Sequence, residues 1–290
     1  MRNIPLWNFP AFDRNTAFLR DHGWDVISPA DLDREIGFDE NDETRVFTES
    51  DFHEAMIRDY RALLDSDAIA FIPGWEKSTG AALERAFASK LRLPMYRVDA
   101  DREYLERELI VGVAGVARAG KDTLAEGLVK EHQFERRSLA DPLKGILYEL
   151  NPLVDYDVDY DVPIRVQHLV DAEGWEGAKS TPEIRSLLQR LGTEGGRKHI
   201  ADDIWSRTLF EKPHAARLVI PDIRFPNEAK AVQDRGGVII RVERDGYAPV
   251  NAHISEVAYT DHDILLKNDG TPEDLRDSAV EALRGRGYSL

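Results

Sequence analysis

The stretch LIVGVAGVARAGKDTLAEGL, residues 109–128, decides the fold of the larger part of this chain. It opens with an almost wholly apolar run, which is typical of a strand buried on both faces of a parallel sheet. A glycine-containing loop comes next, and a helical pattern begins at about residue 121. The order of strand, loop and helix predicts an α/β unit that starts close to this stretch.

The loop has the spacing of a phosphate-binding loop, because Gly115 is followed after four residues by Gly120 and Lys121. Glycines allow consecutive backbone N–H groups to point at one phosphate, and the start of a helix adds partial positive charge. Lys121 would reach the β- and γ-phosphates, and Arg118 would supply a second cation. The alternative is a glycine-rich turn that carries a lysine by chance.

The position after the lysine departs from the common pattern. Asp122 stands where Ser or Thr is usual, and Thr123 comes one residue later. Either side chain would help to hold Mg²⁺, directly or through water. Some small-molecule nucleotide kinases also carry an extra residue between the lysine and the threonine, whereas the displacement argues against GTPase-like switch machinery. The residues expected to bind the nucleotide cofactor are Gly115, Arg118, Ala119, Gly120, Lys121, Asp122 and Thr123.

Composition limits the classes of function. The length of 290 residues fits one large domain or two ordinary ones, and 42% hydrophobic residues can bury a substantial core. A net charge of −16 repels a polyphosphate backbone, so we expect no general nucleic-acid binding. The absence of cysteine excludes disulfides and thiolate chemistry. With no long apolar run and no secretory signal, we expect a cytoplasmic protein with no membrane partner.

Helical and strand patterns alternate along the whole chain, which predicts α/β architecture in both halves. A charged connector is predicted at 100–109, so we expect domains at 1–104 and 105–290. The segment 151–178 is acidic and irregular, and it is either a lid over a site or a solvated loop. Predicted helices lie at 10–22, 51–65, 79–90, 181–191, 203–210 and 226–235 and from 121 and 272 onward, and predicted strands at 24–28, 68–72, 93–98, 109–114, 217–222, 238–243 and 263–268.

Seven segments in order give residues 109–290 a resemblance to the phage deoxynucleoside monophosphate kinases. The resemblance implies a P-loop kinase with a three-layer α/β/α fold that transfers a phosphoryl group from ATP, with Mg²⁺, to a deoxynucleoside 5′-monophosphate. It also implies a place in the host cytoplasm if a phage encodes the chain, and we expect a homodimer. The segments are GVARAGKDTLAE, LADPLK (139–144), IRSLLQRLGT (184–193), DIWSRTLF (203–210), VIPDIRFPNEA (219–229), HISEV (253–257) and LLKNDGTPEDL (265–275).

The same resemblance assigns roles to individual residues. Lys121 and Arg224 would be catalytic, and Arg224 is placed to grip a phosphate. Asp222 directly follows an apolar strand, where ligands of α/β proteins gather. The alternatives are a solvated helix face for Arg185 and Glu228 and a core position for Trp205. The residues expected to bind the monophosphate are Arg185, Gly192, Thr193, Trp205, Asp222, Arg224 and Glu228.

The first 99 residues resemble a second group, the small flavodoxin-like α/β domains of the nucleoside 2-deoxyribosyltransferase type. The resemblance rests on RNIPLWNFPAFD (2–13), VISPADLD (26–33) and DAIAFIPGWEKSTGAALERAFA (67–88). It implies cleavage or exchange of the N-glycosidic bond of a deoxynucleoside or its monophosphate. Glu84 would attack C1′, Ser78 at a helix start would hold a 5′-phosphate, and Asp59 would contact or protonate the base. The alternative for Glu84 is a surface helix position.

One departure from this second group bears on function. Its members begin with an apolar strand and a glycine-containing turn, and Met1 falls where the methionine of that turn stands. Either the true start lies upstream, or this half is a non-catalytic remnant that senses nucleotides or mediates oligomerisation. The leading hypothesis is a bifunctional enzyme whose two halves act on the same deoxynucleotides. A third hypothesis is a nucleotide-binding regulator without transferase activity, against which Arg185, Asp222 and Arg224 argue.

Overall fold

A computed structural model describes residues 5–42, 44, 46, 48–157, 162–246 and 261–290. The HISEV segment, with His253 and Glu256, lies outside these residues. The chain divides into two compact units, of which the first comprises Met1–Ile110, Val232–Gly237 and Leu283–Leu290. The second comprises Val111–Ala231 and Val238–Ala282. Within the described part of the chain, no helix is both long enough and apolar enough to cross a membrane.

The first unit contains four helices and three strands among its described residues from 5 to 107. Its longest helix begins at a capping box, in which Thr48 Oγ1 accepts the N–H of Asp51 and the Asp51 carboxylate accepts the N–H of Thr48. The elements are α1 (Phe9–Asp21), α2 (Pro29–Glu35), α3 (Glu49–Leu64), β1 (Ile69–Phe71), α4 (Thr79–Leu91), β2 (Met95–Asp99) and β3 (Tyr104–Arg107).

The sheet of the first unit has the order β1-β2-β3, with β1 and β2 parallel and β2 and β3 antiparallel. Two sequence predictions were wrong here. The stretch 24–28 is not a strand, and the carbonyl of Val26 accepts a hydrogen bond from the Arg20 side chain rather than from a neighbouring strand. Four residues of the predicted connector form β3, because Tyr104–Arg107 pairs with β2 despite its charged residues. The first sheet thus extends past the predicted boundary at 104/105.

The second unit is built on a five-stranded sheet of order β10-β9-β4-β8-β5. The pairs β10–β9, β4–β9 and β5–β8 are parallel. Its elements are β4 (Leu109–Ala114), α5 (Lys121–His132), β5 (Glu135–Arg136), α6 (Asp141–Leu150), β6 (Leu153–Asp157), β7 (Val162–Arg165), α7 (Val166–Ala178), α8 (Pro182–Arg190), a π-helix (Leu191–Arg197), α9 (Ile204–Glu211), β8 (Arg217–Ile223), α10 (Pro226–Gln233), β9 (Val238–Glu243), β10 (Ile264–Lys267) and α11 (Pro272–Arg284).

The predicted apolar strand is confirmed as β4, the central strand of this sheet. Every residue of Leu109–Ala114 is buried, as expected for a strand with both faces covered. Gly112 leaves room for its neighbours, because a Cβ at this position would lie 2.7 Å from Ile239 Cδ1 and 3.0 Å from Ile223 Cγ1. The strand therefore delivers the glycine loop to one edge of the sheet from a rigid core.

The segment 151–178 is more regular than its acidic sequence indicates. Its described residues begin with the antiparallel strands β6 and β7, in which Tyr156 pairs with Pro163, and end with α7. Val166 and Ala178, at the two ends of α7, are fully buried in one apolar cluster with Leu147 and Ile184. The alternation of Asp with Tyr and Val is a period of two, which suits a strand even when half of its residues are charged.

Candidate functional site

The loop between β4 and α5 has the backbone that its glycines predict. Gly115 and Gly120 have φ values of +147° and +110°, which other residues rarely adopt. Both are also tightly packed, because a Cβ would lie 2.5 Å from the Val242 carbonyl oxygen at Gly115 and 2.4 Å from Asn268 Nδ2 at Gly120. No other residue fits either position without moving the neighbouring backbone or loop.

Two hydrogen bonds hold the loop closed. Lys121 Nζ donates to the carbonyl of Val116 at 2.7 Å, so the ammonium group arches over the loop. Asn268 Nδ2 donates to the carbonyl of Ala119 at 2.7 Å, which ties the loop to the segment after β10. Ala119 itself is fully buried. The loop is thus preorganised by one contact from the first residue of α5 and by one from the segment after β10.

The loop opens into a cavity of about 220 Å³. Its cations are Arg118, Lys121 and Arg244, and Asp122 and Thr123 add oxygen ligands of the kind that Mg²⁺ prefers. The residues that line it are Arg118, Gly120, Lys121, Asp122, Thr123, Arg244, Asn268, Gly270 and Pro272. Five of these nine were predicted from the sequence to bind the nucleotide, so the structure gathers them at one place.

Asp122 has a partner that the sequence did not reveal. Its Oδ1 lies 2.5 Å from Arg136 Nη2, at the end of β5. Both side chains are partly exposed, at 71% for Asp122 and 38% for Arg136. Arg136 also acts on Glu176 of α7, whose pKa is held below its ordinary value by Lys179 and further lowered by the charges of Lys144 and Arg136. Arg136 therefore links the start of α5 to the charged groups around Glu176.

The carboxylate of Asp222, on β8, binds the turn that precedes α6. It accepts hydrogen bonds from Ser138 Oγ at 2.6 Å, from the Leu139 N–H at 3.0 Å and from the Ala140 N–H at 3.1 Å. These three donors lie just before α6, so Asp222 fixes the turn that leads from β5 into α6. The predicted substrate ligand is in this structure a residue that positions a loop.

Glu228 is buried and plays a similar part. Its Oε2 accepts the N–H groups of Arg224 and Phe225 at 2.7 and 2.9 Å, and its Oε1 pairs with the Arg197 guanidinium. Burial raises the pKa of Glu228, against the opposing effects of Arg197 and the two N–H groups. Arg197 stacks on the Phe225 ring at 4.2 Å. Glu228 thus joins the loop after β8 to the π-helix.

The π-helix packs against Trp205. Trp205 is buried, its Nε1 donates to the Gly192 carbonyl at 2.9 Å, and a Cβ on Gly196 would lie 2.2 Å from its Cζ2. These contacts favour the core interpretation of Trp205 over a base-stacking one. π-helices are rare and frequently lie at functional sites. Thr193 is half-buried on this π-helix, while Arg185 of α8 and Arg224 after β8 are exposed.

A second cavity, of about 430 Å³, lies within the first unit. Asp59 of α3 and Glu84 of α4 both line it, and their carboxyl groups are hydrogen-bonded to each other. Burial and the neighbouring carboxylate raise the pKa of Glu84 to about 8. Burial likewise raises the pKa of Asp59, to about 6. The pair therefore shares a proton near neutral pH.

Ser78 takes another position. Its hydroxyl oxygen accepts the N–H of Ala81 at 3.3 Å and caps α4. It is not among the residues that line the cavity. The structure thus brings together two of the three residues predicted for this site.

The second unit has the strand, the glycine loop ending in lysine, and the helix that define a P-loop α/β protein. Residues 175–279 match the family model of deoxynucleotide monophosphate kinase. A protein of Acanthamoeba polyphaga mimivirus, whose name assigns it to these kinases, is 32% identical over 193 residues, which are 60% of this chain and 96% of that protein. The chain belongs to the deoxynucleotide monophosphate kinase family.

Other comparisons cover the same part of the chain or the remainder. The deoxynucleotide monophosphate kinase of Enterobacteria phage T4 is 23% identical over 238 residues, covering 60% of this chain and 98% of that enzyme. Residues 1–97 match a domain of unknown function, DUF4406. Among solved structures, the match to shikimate kinase from Aquifex aeolicus covers 62% of this chain and 98% of that chain at 13% identity, with a TM-score of 0.33.

Several residues of the second unit were missed by sequence reasoning, among them Arg244 at the loop cavity. Ser138 directly precedes the LADPLK segment, and Asn268 lies within LLKNDGTPEDL, so both stood beside or inside recognised segments. Arg136 and Arg197 carried no signal, because each is one arginine among many. Their importance comes from the partners that the fold gives them.

Proposed function

We propose that the second unit transfers the γ-phosphoryl group of ATP to a deoxynucleoside 5′-monophosphate. The observation that carries this proposal is the preorganised loop with Lys121, Thr123 and Asp122 gathered at one cavity. Family membership supports the choice of acceptor. A kinase domain that begins near β4, close to the predicted boundary at 104/105, is part of the same proposal.

Phosphoryl transfer requires little covalent chemistry from the protein, so catalysis is mainly positioning and neutralisation of charge. The N–H groups of the loop and Lys121 would hold the β- and γ-phosphates. Mg²⁺ would neutralise phosphate charge, and the hydroxyl of Thr123 and the carboxylate of Asp122 fit its preference for oxygen ligands. Asp122 is paired with Arg136 in this structure, so a bound Mg²⁺ that took Asp122 as a ligand would leave the Arg136 guanidinium available to a phosphate.

The acceptor would lie on the side of β5 and β8. Asp222 and Glu228 hold the flanking turns through the contacts described above. Arg185 and Arg224 are exposed and would contact the monophosphate. The helix α7, on whose Glu176 the charge of Arg136 acts, would cover this region as a lid and is not a solvated loop.

One chromatographic experiment tests the kinase. The purified protein is incubated with each deoxynucleoside monophosphate, with and without ATP and Mg²⁺, and all products are identified by mass. The expected result is a deoxynucleoside diphosphate and ADP in equal amounts, formed only when ATP is present, and the responding monophosphate names the base. ATP binding without any diphosphate from natural or modified monophosphates would favour a nucleotide-binding regulator.

The first unit supports a second candidate function, favoured by the proton-sharing pair of Asp59 and Glu84. An acid and a carboxylate side by side match the needs of N-glycosidic bond cleavage. With the shared proton on Asp59, a Glu84 oxygen would bond to C1′ as the C1′–N bond breaks, and Asp59 would give the proton to the departing base. Water would then attack C1′, return a proton to Asp59 and release the Glu84 carboxylate; another base could take the place of water. Free base formed without ATP, and lost in Glu84→Gln, is the expected result.

The alternative for the first unit is a sensing or oligomerisation module without chemistry. It predicts that Glu84→Gln changes no measured activity. Sedimentation of the full chain with and without deoxynucleotides separates a module that assembles, as a homodimer does, from one that only binds.

A further inference from the structure

The cavity of the first unit combines an aromatic wall with a polar end. Trp24 and Tyr96 both line it, with ring centroids 5.0 Å apart and planes at 70°. Asp59 and Glu84 supply hydrogen-bonding groups at the same cavity. Its volume of about 430 Å³ is within the range of small-molecule sites. Aromatic rings beside a few convergent polar groups suit a flat heterocycle.

The charges of this cavity are all of one sign. Among the described residues that line it, none is lysine, arginine or histidine, and the charged ones are Asp25, Asp59, Asp65, Asp67 and Glu84. A phosphate that carries about two negative charges would enter against these carboxylates, and no lining side chain would compensate it.

The neighbouring groups do not change this balance. The basic side chain that acts on Asp59 is Arg58, and it is paired with Asp33. Ser78, predicted to hold a 5′-phosphate, caps α4 away from the lining. The P-loop cavity, by contrast, is lined by Arg118, Lys121 and Arg244. The first-unit cavity and the P-loop cavity thus differ in electrostatic character.

We propose that the first-unit cavity binds an unphosphorylated nitrogen heterocycle, as a free base or a nucleoside, and rejects the phosphorylated nucleotides that the P-loop site takes. Ring N–H and N groups would exchange hydrogen bonds with the Asp59–Glu84 pair, which offers both a donor and acceptors when it holds one proton. This inference rests on the second candidate function for its site and names the substrate class of that site. It also separates the ligands of the two units.

Isothermal titration of the full chain tests the inference by binding alone. The probes are adenine, guanine, cytosine and thymine, the four deoxynucleosides, and the four deoxynucleoside 5′-monophosphates. Each is titrated into the wild type, Glu84→Gln, and the matched control Glu76→Gln, whose glutamate is exposed on the same unit. Asp59→Asn serves as a second variant if Glu84→Gln does not fold.

At least one base or deoxynucleoside is expected to bind the wild type and the control, and to bind Glu84→Gln at least tenfold more weakly. Monophosphate binding should be the same in all three proteins. Asp67→Lys, which adds a cation to the lining, should let the monophosphate of the bound nucleoside into this cavity. A monophosphate weakened by Glu84→Gln but not by Glu76→Gln would overturn the inference, as would the absence of any binding by bases and nucleosides. Binding without release of base would leave the inference standing and refute the glycosidic function.

Discussion

Replacing Glu228 with glutamine tests whether this residue stabilises the loops of the site or contacts the substrate. In the structure its carboxylate accepts two backbone N–H groups and pairs with Arg197, and the side chains are only 4% and 9% exposed. Glutamine keeps an oxygen for the N–H groups of Arg224 and Phe225. Its NH₂ group, however, cannot accept a hydrogen bond from the guanidinium, so the charged Arg197 loses its main ion-pair partner.

Removing one member of a buried ion pair costs about 3–5 kcal/mol. Because the two backbone hydrogen bonds survive in Glu228→Gln, we expect the lower end, about 3 kcal/mol of unfolding free energy. For a unit of this size that corresponds to a fall in Tm of roughly 6–12 °C. Urea and thermal unfolding followed by circular dichroism measure both quantities, with the exposed Glu211→Gln as the matched control.

A second substitution tests whether the pair is the cause. Arg197→Met removes the cation, so Glu228→Gln in that background should cost clearly less than it does alone. The interpretation fails if Glu228→Gln unfolds like the wild type while its KM for the monophosphate rises at least tenfold. That result would make Glu228 a substrate ligand, as the family resemblance implied, and its buried contacts incidental.

Three further predictions follow from the same structure. Lys121→Ala should lower turnover by at least 100-fold, about 2.7 kcal/mol. Lys130→Ala, on the exposed face of α5, is the control and should leave turnover unchanged. If Lys121→Ala keeps turnover within about tenfold of the wild type, the assignment of the loop is refuted. Glu84 has a raised pKa, so the folded protein keeps a proton that the unfolded chain releases above about pH 4.5. The resulting penalty in unfolding free energy grows until the pH passes about 8, so Glu84→Gln should gain roughly 3–4 kcal/mol relative to the wild type between pH 5 and pH 8. An equal difference between the two proteins at both pH values in urea unfolding would contradict this. Gly112→Ala should cost about 1–3 kcal/mol by overpacking β4, whereas Gly145→Ala, with nothing within 4 Å of its Cβ, should be neutral or slightly stabilising in the same unfolding assay.

The phosphate loop could be predicted from the sequence because its information is local. Gly115, Gly120 and Lys121 lie within one short segment, and the conformations they require follow from their own chemistry. Most helices and strands were likewise predicted, because their hydrophobic periods are visible within ten or so residues. The errors include 24–28, which is not a strand, and 104–107, where pairing with β2 overrides a charged sequence. The helices α2, α6 and α7 and the paired strands β6 and β7 were not predicted.

The partners of the site residues could not be predicted in the same way. Asp222 meets Ser138 across 84 residues of chain, and Glu228 meets Arg197 across 31. Nothing in the local sequence marks one serine or one arginine as the partner of a particular carboxylate. The sequence therefore identified acidic residues near the site, but only the fold shows that two of them serve its loops.

The hydrogen bond from Asn268 to the Ala119 carbonyl has a consequence for the order in which the protein matures. The loop is synthesised before the middle of the chain, yet the residue that fastens it comes 149 positions later. Until Asn268 has left the ribosome, the loop lacks both the side chain that packs against Gly120 and the hydrogen bond to the Ala119 carbonyl. The loop is therefore expected to reach its final packed form only near the end of translation, whereas the main segment of the first unit is synthesised much earlier.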